Sequence, residues 1–455
     1  MHETSATSPL QIKIEDKLSL PETVLFGAQH LLGLTGIFIF PGIIGAVLGL
    51  SPQDTGYIAQ MCFITTGIVT ILQSSFILKL PIVQGPTAVF FSAILSTGAS
   101  LGLGVAYGSM FVAALVFLLL AIPFGNLGLI GHLRLYIAPP IVFGSLMLIV
   151  GVQLATIGLP GWFGQSGGAG FPVVNFLIAV FTIVVTLGCM IFGGNSLLKR
   201  GAFLWGIIAG SVVSLIAGIF DLAPVAGAGW VSLPKIFPFG FGINASVVLA
   251  MCIAFFHATA EAAGMYTLIT TWDPQKLSVN RVNRGIFSEV VGCAMGAAFG
   301  GLATTSYPEN VGIIRVTGIA SRYVTMMAGV LALCMGFLPK VGTLIAVIPG
   351  PILSAASTVL FGVILVSGLQ QLARVEWDEL NIAVVAVPYM VAIGSLFFPG
   401  AVLELIPVSI HNLFTQPILV GLILVMIFNI VINLIIRPRL KPAKPLKVKS
   451  VSGKD

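Results

Sequence analysis

Apolar runs long enough to cross a lipid bilayer recur along almost the whole of this 455-residue chain, and that recurrence leaves few folds open. A helix rising 1.5 Å per residue needs about 20 apolar residues to cross roughly 30 Å of hydrocarbon. Hydrophobic residues make up 57% of the chain and charged ones 8%, with a mean hydropathy of +1.08. Soluble domains carry about 25% charged residues, so a soluble fold is excluded. Inside a bilayer every backbone polar group must be satisfied by the protein itself, which makes the runs helices.

Fourteen spans are expected, at about 24–49, 55–77, 83–100, 105–130, 137–158, 172–194, 203–222, 244–271, 285–303, 309–321, 323–338, 342–366, 379–399 and 411–436. The connections are short and hold no inserted soluble domain. The longest, Asp221–Gly242, divides the spans seven and seven. Cys62, Cys189, Cys252, Cys293 and Cys334 lie in apolar runs without metal-binding spacing. They read as packed thiols, and neither a disulfide framework, a metal nor a cofactor is expected. The polar N-terminal stretch lacks a basic region and a small-residue cleavage site, so no cleaved signal peptide is expected.

With fourteen spans, both termini share a side. Only Lys235 and Lys340 fall on the opposite side, leaving the other 19 of the chain's 21 lysines and arginines with the termini. Such asymmetry places both termini in the cytoplasm. The sequence pI of about 9.1 follows from this bias and from the basic C-terminal tail, which suits contact with anionic lipid. A nucleic-acid partner is not needed to explain it.

Because seven is odd, the two halves run in opposite directions, as in the inverted repeats of transporters. Spans 3 and 10 are matched in the repeat, and both are short. From Pro86 to Ser100 a helix rises only about 22 Å, and from Glu309 to Ser321 only about 20 Å. Each follows an extended stretch bearing Pro, Gly or Thr. Paired interrupted spans point to a midplane binding site. There a helix start has unsatisfied N–H groups and the positive end of the dipole. Pro86 is expected at the first helical position, leaving the N–H groups of Thr87, Ala88 and Val89 to face a ligand. Asn310 is expected to cap the later short helix, with Glu309 at its positive end.

Besides Glu379, which opens the span at 379–399, three acids fall within or at the edge of spans: Glu261, Glu289 and Glu309. A charge at the bilayer centre costs about 2.5–3.5 kcal/mol on insertion scales, which marks such residues as functional candidates. Glu261 lies deep in span 8 among small residues. His257 precedes it by four positions, on the same helical face, and His30 lies in span 1. For His30 a satisfied core position fits as well as a functional one, and for His257 the core position fits better.

The stretch PENVGIIRVTG, with Glu309, Asn310, Gly312, Thr317 and Gly318, resembles the signature of the nucleobase–ascorbate transporter family. Gln29–His30, the Glu261-x-x-Gly264 element and Glu289 agree with it, and the likeness runs from span 1 to span 14. The resemblance implies an all-α membrane protein of two inverted seven-span repeats, with short strands before the half-helices. A core domain (24–130 and 244–338) would carry the substrate, and a gate domain (131–243 and 339–437) would form the scaffold and a homodimer contact. Residues 1–23 and 438–455 would be cytoplasmic tails. It further implies an elevator-type symporter of the bacterial inner membrane, taking up a nucleobase with protons. Glu261 and Glu309 would bind the base, with Ala88 and Thr87 at the start of half-helix 3. His30, Glu289, Asn310 and His257 would form a proton-coupling or supporting network. Met265 stands where many members carry Asp, and Ala88 where many carry Phe, so stacking would come from Phe90, Phe91 or another span. Glu309 suits neighbouring N–H donors of an oxo-base, which uracil and xanthine both present. Glu at this slot resembles uracil permeases and the following VTGIASRY the purine members, with a purine slightly favoured. An anion carrier on the same fold is the alternative of another class, opposed by the two acids. An enzyme is not expected, since His257 and Glu261 lack a third zinc ligand.

Overall fold

The computed structural model describes residues 10–124, 127–132, 139–194, 197–406, 414 and 417–440. Arg134 and the tail lysines from Lys441 onward lie outside the described residues. The first half contains α1 (Leu20–Leu32), α2 (Thr35–Leu48), α3 (Pro52–Leu72), β1 (Gln84–Pro86), α4 (Ala88–Leu101), α5 (Leu103–Leu120), α6 (Pro140–Gly158), α7 (Val173–Phe192) and α8 (Ala202–Ile216). The second contains α9 (Ala245–Trp272), α10 (Val279–Phe299), β2 (Thr304–Ser306), α11 (Pro308–Thr317), α12 (Arg322–Gly336), α13 (Pro339–Ala346), α14 (Gly350–Leu372), α15 (Glu379–Gly394) and α16 (Pro417–Phe428).

Local chemistry sets many of these boundaries. Ser51 caps α3 by accepting the Asp54 N–H at 3.1 Å, with Pro52 as first helical residue. Asn244 caps α9 and Ser278 caps α10 in the same way. Gly318, with φ of 70°, ends α11 in the left-handed conformation that glycine adopts without strain.

Nine helical spans among the described residues are long and apolar enough to cross a membrane, and the protein is a multi-pass membrane protein. The first expected span is broken between α1 and α2, around Gly33 and Leu34. Five other expected spans coincide with helices outside those nine. α4, α8, α11 and α12 are short, and α10 carries Arg281, Arg284 and Glu289. α12 and α13 together meet the length and hydropathy of a span but bend by 83°. Of the cysteines, Cys62 and Cys293 are buried and Cys189 and Cys252 half-buried. Cys334 is exposed, contrary to the expected packing, because it occupies the outer face of α12.

The helices meet where small residues let backbones approach. A Cβ on Gly67 of α3 would come within 2.7 Å of the Gly329 carbonyl of α12. Likewise a Cβ on Gly144 of α6 would lie 2.9 Å from the Gly368 carbonyl of α14.

The two short strands pair antiparallel in the register Gln84 with Ser306, Gly85 with Thr305 and Pro86 with Thr304. This pairing satisfies backbone groups that would otherwise be orphaned in the interior, and it sets α4 and α11 going from a common crossing. Pro86 therefore belongs to the strand, not to the first turn of α4 as expected. The Thr87 N–H also bonds, to the Ala303 carbonyl at 3.4 Å, and helix α4 opens at Ala88, two residues after the expected start.

A strap formed by residues 10–17 crosses the ends of three elements. The Gln11 and Ile12 N–H groups bond to the Gly318 carbonyl, and the Ala320 and Arg322 N–H groups to the Ile12 and Ile14 carbonyls. The Ile14 N–H reaches Asp273 beyond α9 at 3.2 Å. Arg322 pairs with Glu15 at 2.9 Å and donates to the Ser74 and Ser75 carbonyls. Arg281 bonds the Leu78 and Lys79 carbonyls nearby, gathering these cations at one face. Lys340 instead bonds the Val225 and Ala226 carbonyls, beside the segment that holds Lys235. Ile14 is fully buried under the strap. Ile14→Ala is expected to destabilise the protein by about 2–5 kcal/mol, read as a lower midpoint in thermal melts of detergent-solubilised protein; an unchanged midpoint would mean the strap is held without this side chain.

Candidate functional site

A cavity of about 1050 Å³ lies between α4, α9 and α11 on one side and α6 and α14 on the other. Its polar end is lined by Glu261, Glu309, Tyr307, Thr87 and Ala88. The opposite wall is apolar, with Phe143, Met147 and Val150 from α6 and Leu360 and Val363 from α14. From there it runs to Gln275, Gln371 and the exposed Arg374.

Glu261 sits mid-way along α9 and is buried, at 8% exposure. Gly264, one turn further on, also lines the cavity, and a Cβ there would meet nothing within 4 Å. The glycine thus keeps the space beside Glu261 clear instead of serving helix packing. Glu309 is the second residue of α11 and half-buried, where the positive end of the helix dipole favours an anion. Two carboxylates about one cavity can receive two N–H donors of a ligand.

Asn310 does something other than expected. Tyr307 occupies the N-cap position and Pro308 the first helical one. Asn310 is buried at the third and donates to the Pro81 carbonyl at 3.0 Å, tying α11 to the segment before β1. It does not cap, because the strand crossing already fixes where the helix starts.

Glu289 is buried on α10 and is not among the cavity-lining residues. Four donors converge on its Oε1. The Tyr266 and Ser306 hydroxyls bond closely, and the Gln84 and Gln73 amides donate at 3.3 and 3.5 Å. Since Gln84 and Ser306 are strand partners, this carboxylate holds the crossing from behind. A charged acceptor with several good donors is stabilised where a lone one is costly.

Tyr307 is the residue that sequence reasoning missed most. Its hydroxyl accepts the Gly36 N–H at 2.9 Å and contacts the Thr35 hydroxyl at 3.2 Å. Its ring lies over Gly85, where a Cβ would come within 2.5 Å. The glycine of β1 and the tyrosine after β2 are thus one packing unit, and the only sequence signal was a glycine next to a short extended stretch.

Among the remaining candidates, His257 lines the cavity and lies 5.9 Å from the Phe143 ring, centroid to centroid. His30 is buried in α1 away from the cavity lining. Phe90 is also not part of the lining. It is fully buried and meets Phe255 edge-on at 4.7 Å. Phe91 stacks on Phe40 at 4.4 Å, and Phe40 reaches the cavity. The phenylalanines that line the cavity are therefore Phe40 and Phe143, from α2 and α6, beside Tyr307.

The family model described as a permease family, that of the xanthine and uracil permeases, matches residues 21–401. A Clostridium perfringens protein provisionally named a purine permease is 31% identical over 426 residues, covering 92% of this chain and 92% of the relative. The uracil permease of Bacillus subtilis is 29% identical over 391 residues, covering 82% of this chain and 86% of the relative. Among solved structures, the transmembrane domain of a cyanobacterium bicarbonate transporter matches with a TM-score of 0.55 and 14% identity, over 92% of this chain and 99% of that one. That likeness shows a shared fold. The matched span and the strength of these relationships place the chain, as a transporter and not an enzyme, in the nucleobase–ascorbate transporter family of permeases.

Proposed function

We propose that the protein is a proton-coupled nucleobase uptake symporter, with a purine such as xanthine, urate or guanine favoured as substrate. The observation that carries this is the joining of Glu261 and Glu309, from two separate helices, on one cavity between two helix groups. Ionised carboxylates accept from the N–H groups of an oxo-base, and the flat apolar walls at Phe40 and Phe143 suit a planar ring. Buried acids in membrane proteins also serve as proton carriers. On this reading α1–α5 and α9–α12 form a core that slides past a gate of α6–α8 and α13–α16. The five shorter or more charged helices complete fourteen spans, and both termini lie in the cytoplasm of a bacterial inner membrane. The gate helices form a homodimer contact, which mass photometry in mild detergent reads directly.

Uracil is the second reading, favoured by Glu at position 309 and by the similarity to a uracil permease. An anion carrier on the shared fold fits less well, because two acids line the cavity where an anion would sit.

Uptake of radiolabelled xanthine, urate, guanine and uracil into proteoliposomes tests the proposal. Accumulation is expected with an inward proton gradient and without sodium, and a protonophore is expected to collapse it. Uptake that survives the protonophore and stops on sodium removal rejects proton coupling, and bicarbonate uptake without base uptake rejects the substrate class.

A further inference from the structure

We infer that His257 reads the second ring of a bicyclic base, hydrogen-bonding to ring nitrogens that a single-ring pyrimidine lacks. This rests on the nucleobase reading above and narrows it. His257 is 3% exposed and lines the cavity. Its Nδ1 is shut off from solvent without a hydrogen-bond partner among the described residues. A core histidine ordinarily satisfies its ring nitrogens, since a buried polar group left unpaired costs about 1–3 kcal/mol. Phe143 lies 5.9 Å from the ring and is inclined to it at 35°, and Ala260 and Met147 line the same cavity. This leaves Nδ1 as an unused polar atom on a side chain that borders the cavity.

The chemistry of the other cavity groups shows what is missing. Glu261 and Glu309, when ionised, only accept hydrogen bonds. They suit the N–H groups of an oxo-base and repel a bare ring nitrogen. The Tyr307 hydroxyl is committed to Gly36 and Thr35. The five-membered ring of xanthine or guanine carries one N–H and one bare nitrogen, that of urate two N–H groups, and a neutral imidazole carries one donor and one acceptor that can meet either. His257 is one helical turn from Glu261 on the same face of α9. A base held by its six-membered ring at Glu261 therefore has its second ring within reach of His257.

The test is competition for radiolabelled base uptake in proteoliposomes by purines, their 7-deaza and 9-deaza analogues, and uracil. For the wild-type protein at least one deaza analogue is expected to inhibit about tenfold more weakly than its parent purine, the scale of one hydrogen bond. His257→Phe keeps a ring against Phe143 and removes both nitrogens. It is expected to erase that discrimination and to lower the purine-over-uracil preference about tenfold. His257→Asn, which keeps a donor and an acceptor, is expected to retain part of both. Equal inhibition by parent and both deaza analogues in the wild type overturns the inference, as does discrimination that persists in His257→Phe. Purine and uracil constants that shift by one common factor also overturn it, since that is the mark of a packing role. Should neither variant elute as a monodisperse protein, the wild-type analogue comparison decides. Failure of the wild type to take up any base rejects the nucleobase reading itself. Uptake of bases without dependence on the ring nitrogens rejects only the role of His257.

Discussion

Glu261→Gln is expected to reach the membrane and elute as a folded protein while its nucleobase uptake falls to the level of empty liposomes. The substitution is nearly isosteric, so the packing of α9 is preserved. What changes is chemistry: two accepting oxygens become one acceptor and one donor, and a group able to carry a proton becomes one that cannot. Two charge-assisted bonds of about 1.5–3 kcal/mol each correspond to roughly 10²–10⁴-fold in affinity. A Cβ at Gly264 would meet nothing within 4 Å, so no neighbouring helix packs on α9 at that point. Uptake assays on purified, reconstituted variant protein check the expectation, and near-normal transport would remove Glu261 from the binding site.

Glu309→Gln is expected to change selectivity as well as affinity. Glu309 stands in the first turn of α11 on the cavity wall, and when ionised it can accept from two adjacent N–H groups. Glutamine there should weaken bases that present two donors and spare those that present a carbonyl beside one N–H. Each mismatched bond should cost about 1.5–3 kcal/mol, or roughly ten- to a hundredfold. Asn310→Ala provides the contrast. The Asn310 amide holds the Pro81 carbonyl and contributes to the architecture of the crossing, so its loss is expected to impair all substrates alike. Competition profiles over uracil, xanthine, urate, guanine and hypoxanthine separate the two cases. A single common factor across all bases for Glu309→Gln would show that Glu309 does not read the base edge.

The acids were legible in the sequence because the bilayer makes them scarce. In a chain with 15 Asp and Glu, most stand in loops, in tails or at the outer ends of spans, and the three that lie deeper are conspicuous. Glu261 and Glu309 both line the cavity, while Glu289 serves the strand crossing from behind. The aromatic residues were not legible in the same way. Among 31 phenylalanines all are equally at home in a helix facing lipid, protein or ligand. Phe90 and Phe91 were adjacent to the expected site in the chain, yet Phe90 turns to Phe255 and Phe91 to Phe40.

Membership of the membrane class, the helical periods, the family signature and the pair of short interrupted segments follow from the sequence by itself, since each is a local property of composition or spacing. The tertiary structure alone decided how those segments meet. Gln84 and Ser306 are 222 residues apart in the chain, and no periodicity announces that they pair or that Glu289 collects donors from both. The placement of Pro86 in a strand, of Asn310 on the Pro81 carbonyl and of Tyr307 over Gly85 follows from that one crossing. Backbone groups buried away from water must find partners, and here the nearest available partners belong to the opposite half of the molecule.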